Sequence, residues 1–307
     1  MKHSNHKQRH SYIKQFIILV IIALSGYARA QDFVPSKSFI AWDKQRLANK
    51  KRNPTEVYYA KINRTFEITP HIYVDGKDTI ISLQEIQALL LGVNRYYEPS
   101  GISFTTCTVK YFRSQALDTV SFAWWDNNLQ DYLSKDYEPF TINMYFDKAI
   151  KDGENKSSIT FDGGKASPPT VTDPNHLEDY IFIAVVPDSL TLKIDIAHEL
   201  GHFFGLYHPH DITFGKEFVN ESNCSTAGDL LCDTPAEPER SLLNLVDADC
   251  HYIGNILYSL VDPNGDGYVP TTTNIMSYTP PPCAKGFTQQ QFERMIMTYY
   301  QFRTYLR

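Results

Sequence analysis

Two histidines and a glutamate lie close together in the second half of the chain, at His198, Glu199 and His202. Histidines four residues apart on a helix project from the same face, one turn above the other, so both imidazoles can bind one metal ion. Glu199 lies about 100° further around the same helix. From there its carboxylate can reach a metal-held water without becoming a ligand, which makes it the candidate general base.

A third histidine, His208, follows after a glycine. An unbroken helix would carry His208 roughly 15 Å from His198, so the helix must end first. Gly205 is where it can end, because glycine adopts the left-handed conformation that terminates a helix at little steric cost. The chain can then fold back to the metal. Three neutral imidazoles and a water form the four-coordinate site with one exchangeable position that hydrolytic zinc requires.

The elements that must position these residues are predicted from β-rich runs and helical periods. Ser82 and Glu85 are spaced as the capping box of one helix, and Asp188 lies where it can cap the helix that carries His198. Strands, a helix, further strands and then the zinc helix predict a mixed sheet covered by helices, an α+β or α/β sandwich. The strands are expected at residues 68–74, 102–112, 141–146 and 180–186.

After His208 the composition changes. Proline, glycine, asparagine and aspartate are frequent from residue 209 to 282, which predicts an irregular lower lobe. The chain closes with one clear helix from Thr288 to about Leu306, in which Thr288 and Gln291 are spaced as a capping box.

The N-terminus is typical of a secretory signal peptide, residues 1–30. A lysine- and arginine-containing region precedes a short apolar run, and Ala28-Arg29-Ala30 offers a cleavage pattern, so the mature chain is expected to begin at Gln31. A retained membrane anchor is the alternative. Residues 31–66 are polar, show no persistent period, and are expected to be an N-terminal arm or a short propeptide.

Charge and cysteine content narrow the possible partners and the compartment. The net charge is −6, and no basic stripe outside the extreme N-terminus indicates nucleic-acid binding. An exported chain is expected to contact no membrane after signal removal and to form disulfides. Three pairings are open to the cysteines after the zinc helix, and Cys107 is expected to be a buried free thiol in a strand. Those four cysteines are Cys224, Cys232, Cys250 and Cys283.

Four motifs together resemble the pappalysin-like metzincins of the bacterial, ulilysin-like kind. The first is the extended zinc signature H-E-x-x-H-x-x-G-x-x-H at residues 198–208. The others are Asn-Ile-Met-Ser-Tyr at residues 274–278, the cysteine followed by Gly-Asp and Asp-Thr-Pro at residues 224–235, and the closing segment at residues 283–295. The resemblance extends from about residue 67 to the C-terminus.

The resemblance implies a zinc endopeptidase of proteins and peptides with a two-lobed catalytic domain at residues 67–307. The upper lobe would comprise residues 67–208, a metzincin-like α/β/α sandwich, and the disulfide-braced lower lobe residues 209–307. Met276 would be a structural floor under the zinc ligands. The Tyr278 hydroxyl would stabilise the oxyanion, although a tyrosine that merely packs in the core is the alternative.

The resemblance also implies structural calcium and a disulfide pattern. Asp229, Thr234 and one of Glu237 or Glu239 would supply the hard oxygen ligands that calcium prefers. Pairing in order along the chain gives Cys224–Cys250 and Cys232–Cys283 as the expected disulfides.

One departure from the family pattern concerns specificity. Ulilysin-like enzymes that cleave before arginine or lysine carry an acidic residue shortly after the Met-turn tyrosine, whereas this chain has Thr-Pro-Pro-Pro at residues 279–282. A broader preference is therefore expected. Two alternatives remain: another metzincin family, and a non-catalytic secreted binding protein stabilised by zinc. Glu199 argues against the second, because a structural zinc site needs no base.

Overall fold

The computed structural model describes the part of the chain on which the site is built, and the expected signal peptide lies outside it. The described residues are 35–52, 61–113, 120–121, 133, 135–151, 160–161, 163–169, 179–239 and 242–307.

A mixed sheet of seven strands forms the centre of the described structure. Strand β1 (Arg64–Asp75) lies in its interior and pairs in parallel with β6 (Ile142–Asp147), which pairs in parallel with β10 (Tyr180–Ala184). Strand β9 runs antiparallel along the outer side of β10. The strands are β1 (Arg64–Asp75), β2 (Asp78–Thr79), β3 (Ile102–Thr106), β4 (Lys110–Phe112), β6 (Ile142–Asp147), β9 (Gly164–Ala166) and β10 (Tyr180–Ala184), and a small second sheet contains β5 (Val120–Ser121), β7 (Ile150–Lys151) and β8 (Thr160–Phe161).

The prediction of a single strand at residues 102–112 was wrong. The structure has two shorter strands there, β3 and β4, because one extra residue interrupts the pairing with β1. Thr106 pairs with Ile68 and Lys110 pairs with His71, so four steps on one strand oppose three on β1. Such an insertion interrupts the ladder locally. Cys107 lies in this bulge, half-buried and free as a thiol, instead of within a strand.

Two helices cover one face of the sheet, α2 (Leu83–Tyr97) and α3 (Ser189–Phe203). The predicted capping box of Ser82 and Glu85 begins α2, and Asp188 caps α3 by accepting a hydrogen bond from the Thr191 backbone. Alternate strand residues meet these helices, as the two-residue period of strands requires. This core includes Ile68, Ile72, Met144, Phe146, Ile181 and Ile183 from the sheet, and Leu90, Val93, Ile196, Ala197 and Leu200 from the helices.

The opposite face carries an aromatic cluster built from Tyr73, Phe112, Tyr145, Tyr180 and Phe182. The predicted α+β class with a mixed sheet backed by the zinc helix is therefore confirmed. Among the described residues, no helix is both long and apolar enough to cross a membrane.

A further helix, α1 (Lys37–Arg52), lies in the segment for which no period was predicted. Its buried positions include Phe39, Asp43 and Arg46, and two of these three are charged. Charged residues count as solvent-facing in any hydrophobic pattern, so the buried face of α1 is hidden in the sequence.

The lower lobe is irregular apart from a short helix α4 (Gly254–Tyr258) and the C-terminal helix α5 (Gln289–Phe302). The capping box of Thr288 and Gln291 begins α5 as predicted. Helix α5 ends four residues earlier than expected, since Arg303 turns inward to donate to the carbonyl of Phe203 and to pair with Asp179.

The disulfide pairing expected from chain order was wrong. The structure joins Cys224 to Cys232 and Cys250 to Cys283. Successive turns between residues 221 and 230 fold the chain back on itself. They bring the Cα atoms of Cys224 and Cys232 to 5.0 Å, within the range that a disulfide spans. Both bonds lie in the lower lobe.

Candidate active site

The three histidines converge on one point at the end of α3. The Nε2 atoms lie 3.0 Å apart for His198 and His202, 3.1 Å for His198 and His208, and 3.0 Å for His202 and His208. Zinc bound tetrahedrally at about 2.0–2.1 Å separates its nitrogen ligands by roughly 3.4 Å. The arrangement of these three described residues therefore fits a zinc ion.

The chain reverses between His202 and His208 as the sequence predicted. Helix α3 ends at Phe203, and Gly205 has a φ of +86°, in the left-handed region that glycine occupies without strain. A side chain at Gly205 would also lack space, because a Cβ atom there would lie 2.5 Å from Cζ of Phe39. Glycine is thus required for both conformation and packing.

The ring orientations of two histidines are fixed by backbone carbonyls. Nδ1 of His198 donates to the carbonyl of Ile275 at 2.9 Å, and Nδ1 of His202 donates to the carbonyl of Leu206 at 2.8 Å. With the proton on Nδ1, the lone pair of each ring lies on Nε2 and points to the shared centre.

Burial keeps these imidazoles neutral. It lowers the pKa of His198 to about 4 and lowers the pKa of His202 and of His208 well below 6.5, with the neighbouring imidazoles adding to the effect on the latter two. Neutral imidazole is the form that binds a metal.

Glu199 is almost fully buried, at 2% exposure, where α3 meets the edge strand β9. Its Cγ lies against Gly164, at which any Cβ atom would collide with Glu199 and would lie 2.7 Å from the carbonyl oxygen of Phe182. The Tyr97 hydroxyl donates to the carbonyl of Ala197, two residues before Glu199 on α3, at 2.8 Å. Burial raises the pKa of Tyr97, and the charge of Glu199 raises it further.

The segment at residues 274–278 passes beneath the histidines. Met276 is fully buried, and its Sδ lies so close to Gly201 of α3 that a Cβ atom there would be 2.7 Å from it. Tyr278 adopts a φ of +46°, and its ring centroid lies 5.3 Å from that of His198 and 4.7 Å from that of His208. The structure thus places both residues at the metal site.

The residues expected to bind calcium lie in the lower lobe, together with one that the sequence did not reveal. Asp229 is fully buried, and its Oδ1 accepts hydrogen bonds from the Thr234 hydroxyl at 2.8 Å and the Leu231 backbone at 3.0 Å. Oδ2 of Asp229 and both carboxylate oxygens of Glu217 are buried without a hydrogen-bond partner among the described residues. Buried carboxylate oxygens that lack hydrogen-bond donors fit a cation.

The two alternative glutamates differ in their surroundings. The carboxylate of Glu237 is buried and accepts a hydrogen bond from Ser277 at 2.5 Å, whereas Glu239 pairs with Lys216 at 3.2 Å near the surface. Glu237 also faces Nδ1 of His210 at 3.6 Å, and His210 stacks on His208 with ring centroids 4.8 Å apart. Neither Glu217 nor His210 was predicted from the sequence, because neither falls within a motif.

Comparisons with known proteins agree with this geometry. Residues 126–299 match the model of the Peptidase_M43 family, described as pregnancy-associated plasma protein-A. An extracellular metalloprotease of Arthroderma gypseum is 26% identical, covering 92% of this chain and 88% of its own. One from Pyricularia oryzae is 28% identical, covering 71% of this chain and 68% of its own.

Solved structures show the same fold at low sequence identity. A promirolysin variant from Tannerella forsythia has a TM-score of 0.53 at 13% identity, covering 88% of this chain and 92% of its own. Mirolysin in complex with compound 9 has a TM-score of 0.51 at 17% identity, covering 76% of this chain and 91% of its own.

Fold, histidine cluster and family model together define a zinc metallopeptidase of the metzincin class. The chain belongs to the Peptidase_M43 family, the pappalysins. The resemblance drawn from the four motifs is confirmed, and the alternative of a different metzincin family is excluded.

Proposed function

We propose that this protein is a secreted zinc endopeptidase that hydrolyses peptide bonds with Glu199 as the general base. The observation that carries the proposal is the convergence of three neutral imidazoles beside a buried carboxylate that lies on the next helical position. A zinc site that served stability alone would fill its fourth position with protein and would need no such carboxylate.

The histidines His198, His202 and His208 would hold the metal. When bound, zinc polarises the scissile carbonyl and lowers the pKa of a coordinated water to about 7. Glu199 accepts the proton of the attacking water and returns it to the leaving amine, so one carboxylate serves both steps. The Tyr278 hydroxyl donates a hydrogen bond to the oxyanion that develops during attack. Met276 supports the ligands from below.

The edge strand β9 offers a way to bind the substrate backbone. Among the described strands, β9 pairs with β10 alone, and Gly164 at its start touches Glu199. An extended peptide can add to such an edge through main-chain hydrogen bonds. This would present a scissile bond beside the base, because the lack of a side chain at Gly164 lets Glu199 lie directly against the strand.

Secretion is supported by the N-terminal pattern and by the relatives, which are named extracellular metalloproteases. We propose residues 1–30 as the signal peptide and residues 67–307 as the catalytic domain, with the upper lobe ending at His208. Periplasmic retention is the alternative destination.

We also propose a structural calcium ion in the lower lobe. Asp229, Thr234 and Glu217 would hold it, with the buried Glu237 favoured over Glu239 as a further ligand. The support is the group of buried carboxylate oxygens that find no hydrogen-bond donor in the described part of the chain. Calcium there would fix the loop that follows the zinc ligands.

A peptide-library digest tests the proposed activity. The mature protein should cleave internal peptide bonds, as read by mass spectrometry, and a chelator should abolish cleavage until zinc is restored. The Glu199→Gln variant is the matched control for a contaminating protease. Cleavage that persists in this variant or in the chelator would refute the proposal.

A further inference from the structure

Helix α1 packs against the loop that delivers the third zinc ligand. Phe39 is fully buried, with its ring centroid 5.8 Å from that of Tyr207 and 5.5 Å from that of Phe302. Cζ of Phe39 also packs against Gly205, in the space that a side chain at this position would need. The reversal between His202 and His208 is thus shaped against a side chain of α1.

A buried ion pair joins α1 to helix α5, beside the same loop. Asp43 is fully buried and lies 3.0 Å from Nη2 of Arg294 on α5, while its other oxygen accepts from Nε of Arg46 at 2.6 Å. Nη1 of Arg294 donates to the carbonyl of Asp229 at 2.6 Å. The guanidinium lies 4.9 Å from the ring centroid of Tyr207. Arg294 therefore contacts the residue before His208 and the loop of Asp229 at once.

Removal of α1 would take away the ion-pair partner of Arg294 and the apolar cover of Tyr207. Asp43 is the carboxylate within ion-pair distance of Arg294 among the described residues, and a buried cation without its partner is strongly destabilising. The Tyr207 ring and the Gly205 turn would also lose the apolar surface of Phe39. A segment that is cut away on activation should cover little apolar surface, whereas Phe39 of α1 is fully buried against Tyr207 and Gly205.

We infer that α1 is a permanent part of the active enzyme and a positioning element for His208, instead of a propeptide removed on activation. Phe39 and Asp43 act through Tyr207 and Arg294, and neither touches the metal. The inference rests on the proposed zinc site and decides between the two roles left open for residues 31–66. It places any activating cleavage before α1, in agreement with a mature chain that begins at Gln31.

The first test is the N-terminus of the active protein. Intact mass and N-terminal sequencing of the enzyme purified by its peptidase activity should show that α1 is retained. An active species that begins after residue 52, with zinc affinity equal to that of the longer chain, would overturn the inference.

The second test is zinc affinity, measured by competition with a chromogenic chelator. Phe39→Ala and Asp43→Asn should each weaken zinc binding at least tenfold, and Asp43→Glu should restore part of the loss because it keeps the charge. Phe39→Leu keeps most of the apolar volume and serves if the alanine variant does not fold; it should weaken binding less, but measurably.

Phe112→Leu is the matched control, since Phe112 is a buried aromatic residue in the cluster on the opposite face of the sheet. It should lower the melting temperature and leave zinc affinity unchanged. If the α1 variants behave as Phe112→Leu does, α1 merely packs and the inference is wrong. If the wild-type protein binds no zinc, the proposed function itself fails. If the wild-type protein binds zinc and the α1 variants bind it equally well, only the inference about α1 fails.

Discussion

Gly164 of the edge strand lies directly against Glu199, with no room between them for a methyl group. Gly164→Ala should displace the carboxylate of Glu199, because the backbone carbonyl of Phe182 blocks the other direction. Misplacement of a catalytic group by about 1 Å can cost roughly a hundredfold in rate. We expect kcat to fall about ten- to a hundredfold at unchanged zinc content. Gly286→Ala is the control, since a Cβ atom there meets nothing within 4 Å.

Substitutions at Glu199 and His202 should distinguish the effect of losing the general base from the effect of losing a zinc ligand. Glu199→Gln removes a proton acceptor and no ligand, so zinc should stay bound while kcat falls by about 10²–10⁴-fold, the range that general acid–base groups contribute. His202→Ala should lose the metal as well. Elemental analysis beside initial rates distinguishes the two, and substantial activity in Glu199→Gln would contradict the mechanism.

The buried carboxylates of the lower lobe should make stability depend on pH and calcium together. Burial raises the pKa of Glu217 to about 9, of Glu237 to about 8 and of Asp229 to about 7. The charge of Asp229 adds to the shift of Glu217, whereas Ser277 opposes that of Glu237 and Arg294 that of Asp229. In the unfolded chain, the pKa of an aspartate or glutamate side chain is about 4.

Without calcium, the folded chain therefore holds more protons than the unfolded chain from about pH 4 to about pH 9, and its stability falls as pH rises through this window. Calcium binds the ionised carboxylates and stabilises only the folded state. The increase in melting temperature on adding calcium, at constant zinc, should be larger at pH 8 than at pH 6. Glu217→Gln should reduce this increase. If calcium raises the melting temperature at neither pH, the proposal of a calcium site is wrong.

The two disulfides should contribute unequally. Cys250–Cys283 closes a sequence separation of 33 residues and Cys224–Cys232 one of 8. On the loop-entropy model, the longer loop stabilises by about 1 kcal/mol more. Replacing each pair by serine and comparing urea unfolding tests this difference. Peptide mapping without reduction checks the pairing first, and a Cys224–Cys250 peptide would contradict it.

Cleavage specificity should be broader than a strict preference for arginine or lysine after the scissile bond. A desolvated cation needs a carboxylate partner, and residues 279–282 supply none. The peptide-library digest should therefore show apolar residues after the cut as well. If only basic residues occur there, this prediction is wrong and a carboxylate from elsewhere in the chain lines the pocket.

The sequence by itself determined the features that depend on short-range geometry. The zinc helix, its end before Gly205 and the return of His208 follow from eleven consecutive residues. The capping boxes of α2 and α5 each involve residues three apart, and both occur as predicted. Helical and strand periods also sufficed for the fold class, because they state which face of each element is buried.

Only the tertiary structure decided the features that join distant parts of the chain. The disulfide partners depend on which turns bring Cα atoms together, and chain order carries no such information. Helix α1 is recognisable once Arg294 is seen to neutralise Asp43, since a buried charge looks like a surface charge until its partner is known. The contact of Gly164 with Glu199 likewise arises from the packing of an edge strand on a helix. These interactions depend on coordinates in space, which periodicity and spacing along the chain do not specify.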